Sequence, residues 1–221
     1  MKRTMTLLSH GAFFALLCGV MAVPSYAIPV ASDVVTIGTV NATGLSVDVP
    51  VYIRDTSGTP LGIDQPAGSK IQSWSIKVTY APAAAVSSVS FTRAGITTAL
   101  TPAFESSPSG VGTVTLLDTF DETTNPVPFT LDAAAPGDEV AHLSFTLAPP
   151  FGPKTITLTL DPSLTELTDQ GGDASTTENA SNGKLTLVNG AIEIQAIPTL
   201  SPWVLFMLAA TLALAGWQMR G

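Results

Sequence analysis

Histidine, cysteine and basic side chains are all scarce in this chain of 221 residues, which holds one cysteine, two histidines and nine Lys and Arg. Cys18 and His10 both fall in the first 27 residues, read below as a removable leader. Residues 28–221 then contain no cysteine and one histidine, His142, so an exported domain must hold together without disulfides. The same scarcity leaves no ligand set for a zinc site built from cysteine and histidine. Nucleophilic catalysis of the Ser-His-Asp kind needs a histidine base beside its nucleophile. His142 stands in an alternating run between Val140 and Leu143, on the face shared with Ser144, and that phase turns it to solvent.

Basic residues are short in the body of the chain too. Residues 28–196 carry Arg54, Lys70, Lys77, Arg93, Lys154 and Lys184 against all 17 acids, a balance of −11. A partner rich in phosphate needs a basic patch, so nucleic acid and anionic membrane surfaces are excluded as partners. An amphipathic helix of normal length and a repeat of 20–50 residues are also missing, which excludes a solenoid or propeller.

The two ends of the chain are the long apolar segments that it does have. Lys2 and Arg3 precede an apolar run over 11–23 that closes in Ser25-Tyr26-Ala27, the pattern of a secretory signal peptide cleaved after Ala27. That run is short for a membrane span of about 20 residues, and Leu16 and Leu17 before Cys18 are not the small residues of a lipoprotein signal. At the other end, residues 203–219 carry no charge and would form about 26 Å of helix, enough to cross a bilayer. Trp203 and Trp217 sit at the two boundaries and Arg220 favours the cytoplasmic side, so the body of the chain faces outward.

The residues Ile197, Pro198, Thr199, Leu200 and Ser201, followed by Trp203, the apolar run and Arg220, resemble the IPTL-CTERM sorting signal of the PEP-CTERM-like systems of Gram-negative bacteria. Pro202 and Val204 stand where that family more often has an acidic residue and a glycine, and Arg220 is a lone base. The resemblance implies an exosortase-type processing enzyme as partner, a precursor tethered in the inner membrane, and delivery to the cell surface or extracellular matrix. Only Gln195 and Ala196 separate the last expected strand residue, Ile194, from this tail, a spacing that suits a transient hold before cleavage better than permanent display.

Between the ends, residues 34–194 alternate between apolar and polar side chains, with breaks rich in Gly, Pro, Ser, Asn and Asp, and so predict an all-β domain over 28–196. Val47, Val49, Val51 and Ile53 face one way; Trp74, Ile76, Val78 and Tyr80 do the same in a second run. Further strands are expected at Val89 and Phe91, Val114 and Leu116, 140–147, 156–160 and 185–194, eight to ten in all. One wetted face per strand favours an antiparallel, jelly-roll-type sandwich. Residues 94–112, 119–137 and 169–183 read as loops, and Asn189-Gly190 as a tight hairpin turn or bulge.

Three places resemble the cohesin-like β-sandwich of bacterial surface and cellulosomal proteins, which shares its shape with several carbohydrate-binding modules. They are Val47 to Ile53, the run from Ile71 to Pro82, and Leu143 to Leu147 together with the closing Leu185 to Ile194. The resemblance implies a binding or adhesion module without catalysis, with a polysaccharide or a surface protein as ligand. A structural matrix protein with no specific ligand is the alternative, and a carboxylate glycosidase is a third reading.

Candidate site residues are few. Two groups of acids, Asp118, Asp121 and Glu122, and Asp169, Asp173 and Glu178, lie in expected loops and are the places where oxygen ligands could hold calcium, the one cofactor the sequence allows for. Neither has the full ladder of a twelve-residue calcium loop, and solvated loop acids are the plainer reading. Trp74 shares the phase of core residues, which leaves Tyr52, opposite Val51 and Ile53, as the better exposed aromatic for a ligand face.

Overall fold

A computed structural model describes residues 31–150 and 152–195. The expected signal peptide and the sorting tail with its membrane span lie outside the described residues. Within them the chain forms two packed β-sheets, and the only helices are three single 3-10 turns at Ala83–Ala85, Gly95–Thr97 and Ala180–Asn182. No helix among the described residues is long and apolar enough to cross a membrane.

The first sheet has the order β13 (Leu185–Val188), β1 (Asp33–Ile37), β3 (Ser46–Arg54), β9 (Asp138–Leu147), β5 (Val86–Arg93). The second is built on β4 (Ser73–Ala81). On one side β4 pairs with β8 (Thr113–Thr119), which carries β6 (Phe104–Ser106) and β7 (Ser109–Gly110) on its outer edge. On the other side β10 (Lys154–Leu160) takes the last residues of β4 and β11 (Glu166–Thr168) takes the first. Beyond β10 lie β14 (Gly190–Ile194) and β2 (Thr39–Ala42), and beyond β11 lies β12 (Glu178–Asn179).

Alternation does what it implies. Val49, Val51 and Ile53 of β3 and Trp74, Ile76, Val78 and Tyr80 of β4 are buried on the inner faces of the sheets, each burial contributing roughly 1.5–3 kcal/mol for a large apolar side chain. Trp74 is a core residue, its ring 5.4 Å from Phe120 and 6.4 Å from Phe129 between centroids, and Tyr80 meets Phe145 edge-on at 5.6 Å. These geometries are the tilted and edge-to-face contacts that aromatic quadrupoles favour. The segment between β8 and β9 has no strand, as expected, yet it buries Phe120, Val127 and Phe129.

Three expectations need correction. The sandwich is not wholly antiparallel, because β1 pairs with β13 and β2 pairs with β14 in parallel. Asn189-Gly190 makes no hairpin: β13 and β14 lie in different sheets, and the chain crosses from one to the other at this dipeptide. Strands β1 and β2 make the same crossing at Gly38, whose N–H donates to the Pro50 carbonyl at 2.8 Å. The two crossings touch, for a Cβ on Gly190 would stand 2.2 Å from the Gly38 carbonyl oxygen. Finally, the expected loops at 94–112 and 169–183 contain β6, β7 and β12, segments of two or three residues too short to show a period.

Candidate functional site

Strand phase decides what the outer face of the second sheet displays. Since Ile76, Val78 and Tyr80 point inward, Ser75, Lys77 and Thr79 point out, and β8 and β10 bring Thr113, Thr115, Thr155, Thr157 and Thr159 to the same face. Register lines them up in rows: Thr113, Thr79 and Thr159 cross β8, β4 and β10, while Thr119 and Ser73 continue to Phe104 on β6 and Thr168 on β11. Threonine suits this position, because its β-branch fits a pleated strand and its hydroxyl is wetted. Lys77 is paired with Asp161 at 3.7 Å, and Glu166 of β11 and Glu193 of β14 add carboxylates to a face otherwise lined with hydroxyls.

At one end of this face lies a depression of about 180 Å³ lined by Ser73, Ser75, Phe104, Leu117 and Glu166 among others. Phe104 in its lining is 54% exposed, and Leu164, whose carbonyl accepts the Ser75 hydroxyl of the same lining, is 50% exposed. A second hollow of about 300 Å³ opens beside the edge strand β5, between Val86 and Val89 and the Ser109–Gly112 turn. Val111 at its rim is almost fully exposed.

Asp118 is a strand residue and not a loop acid. It continues the inward phase of Val114 and Leu116 and is buried beside Trp74. Neither of its oxygens closes a hydrogen bond of ordinary geometry, and burial first, then the Glu105 carboxylate, push its pKa up to about 7; Arg93 and the Trp74 indole pull it the other way. Asp121 is half-buried and receives the Thr123 and Thr124 N–H groups at 2.9 and 2.7 Å, the Thr124 bond leading the causes that hold its pKa low. Glu122 accepts the Gly68 N–H on both oxygens, and Gln170 links Asp121 and Glu122 to the neighbouring loop.

Asp169 and Asp173 belong to one turn, in which Asp169 accepts the Thr176 hydroxyl at 2.7 Å and Asp173 accepts the Ser175 N–H at 2.8 Å. Glu178 is directed elsewhere: fully buried in β12, it accepts the Leu61 N–H at 3.0 Å and lies against Asp33. The second acidic group is therefore divided. Among the described residues no three Asp, Glu or His side chains are grouped to hold a metal ion. Tyr52 lies half-buried on the outer face of the first sheet between Thr36 and Glu139, and burial followed by the Glu139 carboxylate raises its phenol pKa. His142 is on that face as well, with its Nε2 against Glu139 Oε1.

Two buried acids escaped the reading of the sequence. Asp33 shares the inward phase of Val35 and Ile37, and Asp55 extends that of Val49, Val51 and Ile53; both are fully buried. An acid in register with a strand's apolar positions was the available signal. Phe104 left none, because β6 is only three residues long.

No family model matches the chain, and no curated protein does. Solved structures match it in fold. The CaCohA2 module of Clostridium acetobutylicum, solved as a complex, aligns at a TM-score of 0.51 and 20% identity, over 74% of this chain and 100% of that one. The module in a type I cohesin–dockerin complex of Clostridium thermocellum aligns at 0.50 and 15%, over 76% of this chain and 96% of that one. The domain is thus a cohesin-like β-sandwich.

Proposed function

We propose that this chain is an exported, non-catalytic binding or adhesion module that engages a surface or matrix protein through the outer face of its second sheet. The observation that carries this reading is the hydroxyl-lined face spanning β8, β4 and β10, flanked by the exposed Phe104 and Leu164. Apolar anchors beside a polar surface are what protein interfaces use, the anchors supplying most of the energy and the surround excluding water. The likeness to modules solved in cohesin–dockerin complexes supports a protein as the partner, ahead of a polysaccharide. The resemblance of residues 197–220 to an exosortase-type sorting signal supports export, a membrane-held precursor, and delivery to the surface or matrix of a Gram-negative cell.

The test is binding by the purified chain to surface-protein extracts and to envelope and matrix polysaccharides, with Phe104→Ser and Leu164→Ser as probes of the face. Retention on a protein fraction, weakened about tenfold or more by either change, is the expected result; a hot-spot aromatic carries about 2 kcal/mol or more. Retention that ignores both changes would place the ligand elsewhere. Self-association with no ligand would favour the structural matrix alternative, and release of sugar would overturn the non-catalytic reading.

A further inference from the structure

The connection from β3 to β4 is wrapped around three fully buried carboxyl groups from three elements: Asp33 of β1, Asp55 at the end of β3, and Glu178 of β12. Each takes one N–H from the same stretch of chain. Thr56 N–H donates to Asp33 Oδ1 at 2.8 Å, Leu61 N–H to Glu178 Oε1 at 3.0 Å, and Ile63 N–H to Asp55 Oδ2 at 2.7 Å. The other oxygen of each, Asp33 Oδ2, Glu178 Oε2 and Asp55 Oδ1, is buried and receives no hydrogen bond from any donor among the described residues. Gly62 lets the chain pass, since a Cβ there would meet Asp55 Oδ1 at 2.6 Å.

Two ionised carboxylates offer only acceptors, so a buried pair in contact repels unless a proton lies between them. Asp33 and Glu178 are such a pair, close enough to hydrogen-bond. The charged groups around them do not relieve the repulsion. Asp55 faces both and adds negative charge, itself near Asp64, Asp132 and Asp138, while among the described residues Lys184 is the one cation acting on Glu178.

We propose that Asp33 and Glu178 share one proton between Oδ2 and Oε2, forming a pH-released latch that pins the 56–63 segment across the two sheets. The latch is closed by the proton and opens when that proton leaves to solvent, because two buried charges then face each other and the segment must move to admit water. Burial and the mutual contact raise Asp33 well above the ordinary carboxylate range, which puts release on the alkaline side of neutral.

Hydrogen–deuterium exchange of the 56–63 segment in the full-length chain tests this directly. Opening that releases one proton makes protection, corrected for intrinsic exchange, fall about tenfold per pH unit across the neutral range. Asp33→Asn replaces the shared proton by an amide donor, and the slope is expected to vanish while protection at neutral pH remains. An unchanged slope in both Asp33→Asn and Glu178→Gln would overturn the latch. So would protection that rises with calcium, falls with a chelator and loses that response in Asp33→Asn, for the pair would then hold a cation. Should a variant fail to fold, infrared spectra decide: in an Asp118→Asn background at about pH 8, a protonated-carboxyl C=O band is expected, and its absence would refute the shared proton.

Discussion

Gly190 stands where the backbone of the neighbouring crossing leaves no room for a side chain. Two chain segments change sheets at one point, and the Gly190 Cα lies so near the Gly38 and Ile37 carbonyls that a Cβ would stand 2.2 and 2.6 Å from their oxygens. Those oxygens belong to backbone, which cannot rotate away as a side chain can. Gly190→Ala is therefore expected to cost about 3 kcal/mol, the upper part of the usual range for overpacking, read as a lowered midpoint in urea. Gly44→Ala, where nothing lies within 4 Å of the added carbon, is the control and should leave the midpoint near that of the parent. Equal effects at the two positions would mean that the crossing is not tight.

At the scale of elements, each strand's phase explains both its core and its anomalies. β8 reads Val114, Leu116, Asp118 along one face, and the sheet buries all three without distinguishing the acid. Asp118 is thereby held at about 7 in the folded chain against an ordinary value of 3.8. The folded state binds this proton more tightly than the unfolded one, so the associated stability is fully present below about pH 4 and is lost as pH rises through 7. The loss is at most about 1.4 kcal/mol per pH unit over that interval. Thermal unfolding between pH 4 and 8 should show a falling midpoint, and Asp118→Asn should fall less steeply because its amide never ionises. A variant as steep as the parent would assign the pH dependence to other groups, the Asp33–Glu178 pair first.

For the whole molecule, the acidic sandwich and the two terminal segments make one argument about address. A body with a balance of −11 and no cysteine has to fold without disulfides wherever it is delivered, and the tail proposes the address. Full-length protein should fractionate with membranes before processing. Replacing Pro198 or Trp203 by alanine should leave it there and reduce surface delivery, measured by cell fractionation. Normal sorting of both variants in a strain shown to contain the enzyme would remove the sorting reading and leave only an anchor.

The β class, the inward positions of β3 and β4, and the core place of Trp74 were legible in the sequence, because a period of two is a local property that every residue of a strand carries. The partners of those strands were not. Nothing in Leu185 to Ile194 says that its halves join different sheets, since alternation is the same in either, and only packing against Gly38 sets the crossing. The buried acids were half legible: their phase is written in Asp33, Asp55 and Asp118, but the contact of Asp33 with Glu178 joins residues far apart in the chain. The sequence by itself determined which face of each longer strand is wet and proposed the address. Tertiary structure decided which wet faces lie side by side, and so made a hydroxyl-lined surface from Thr79, Thr113 and Thr159, because register between strands depends on the packing of all of them at once.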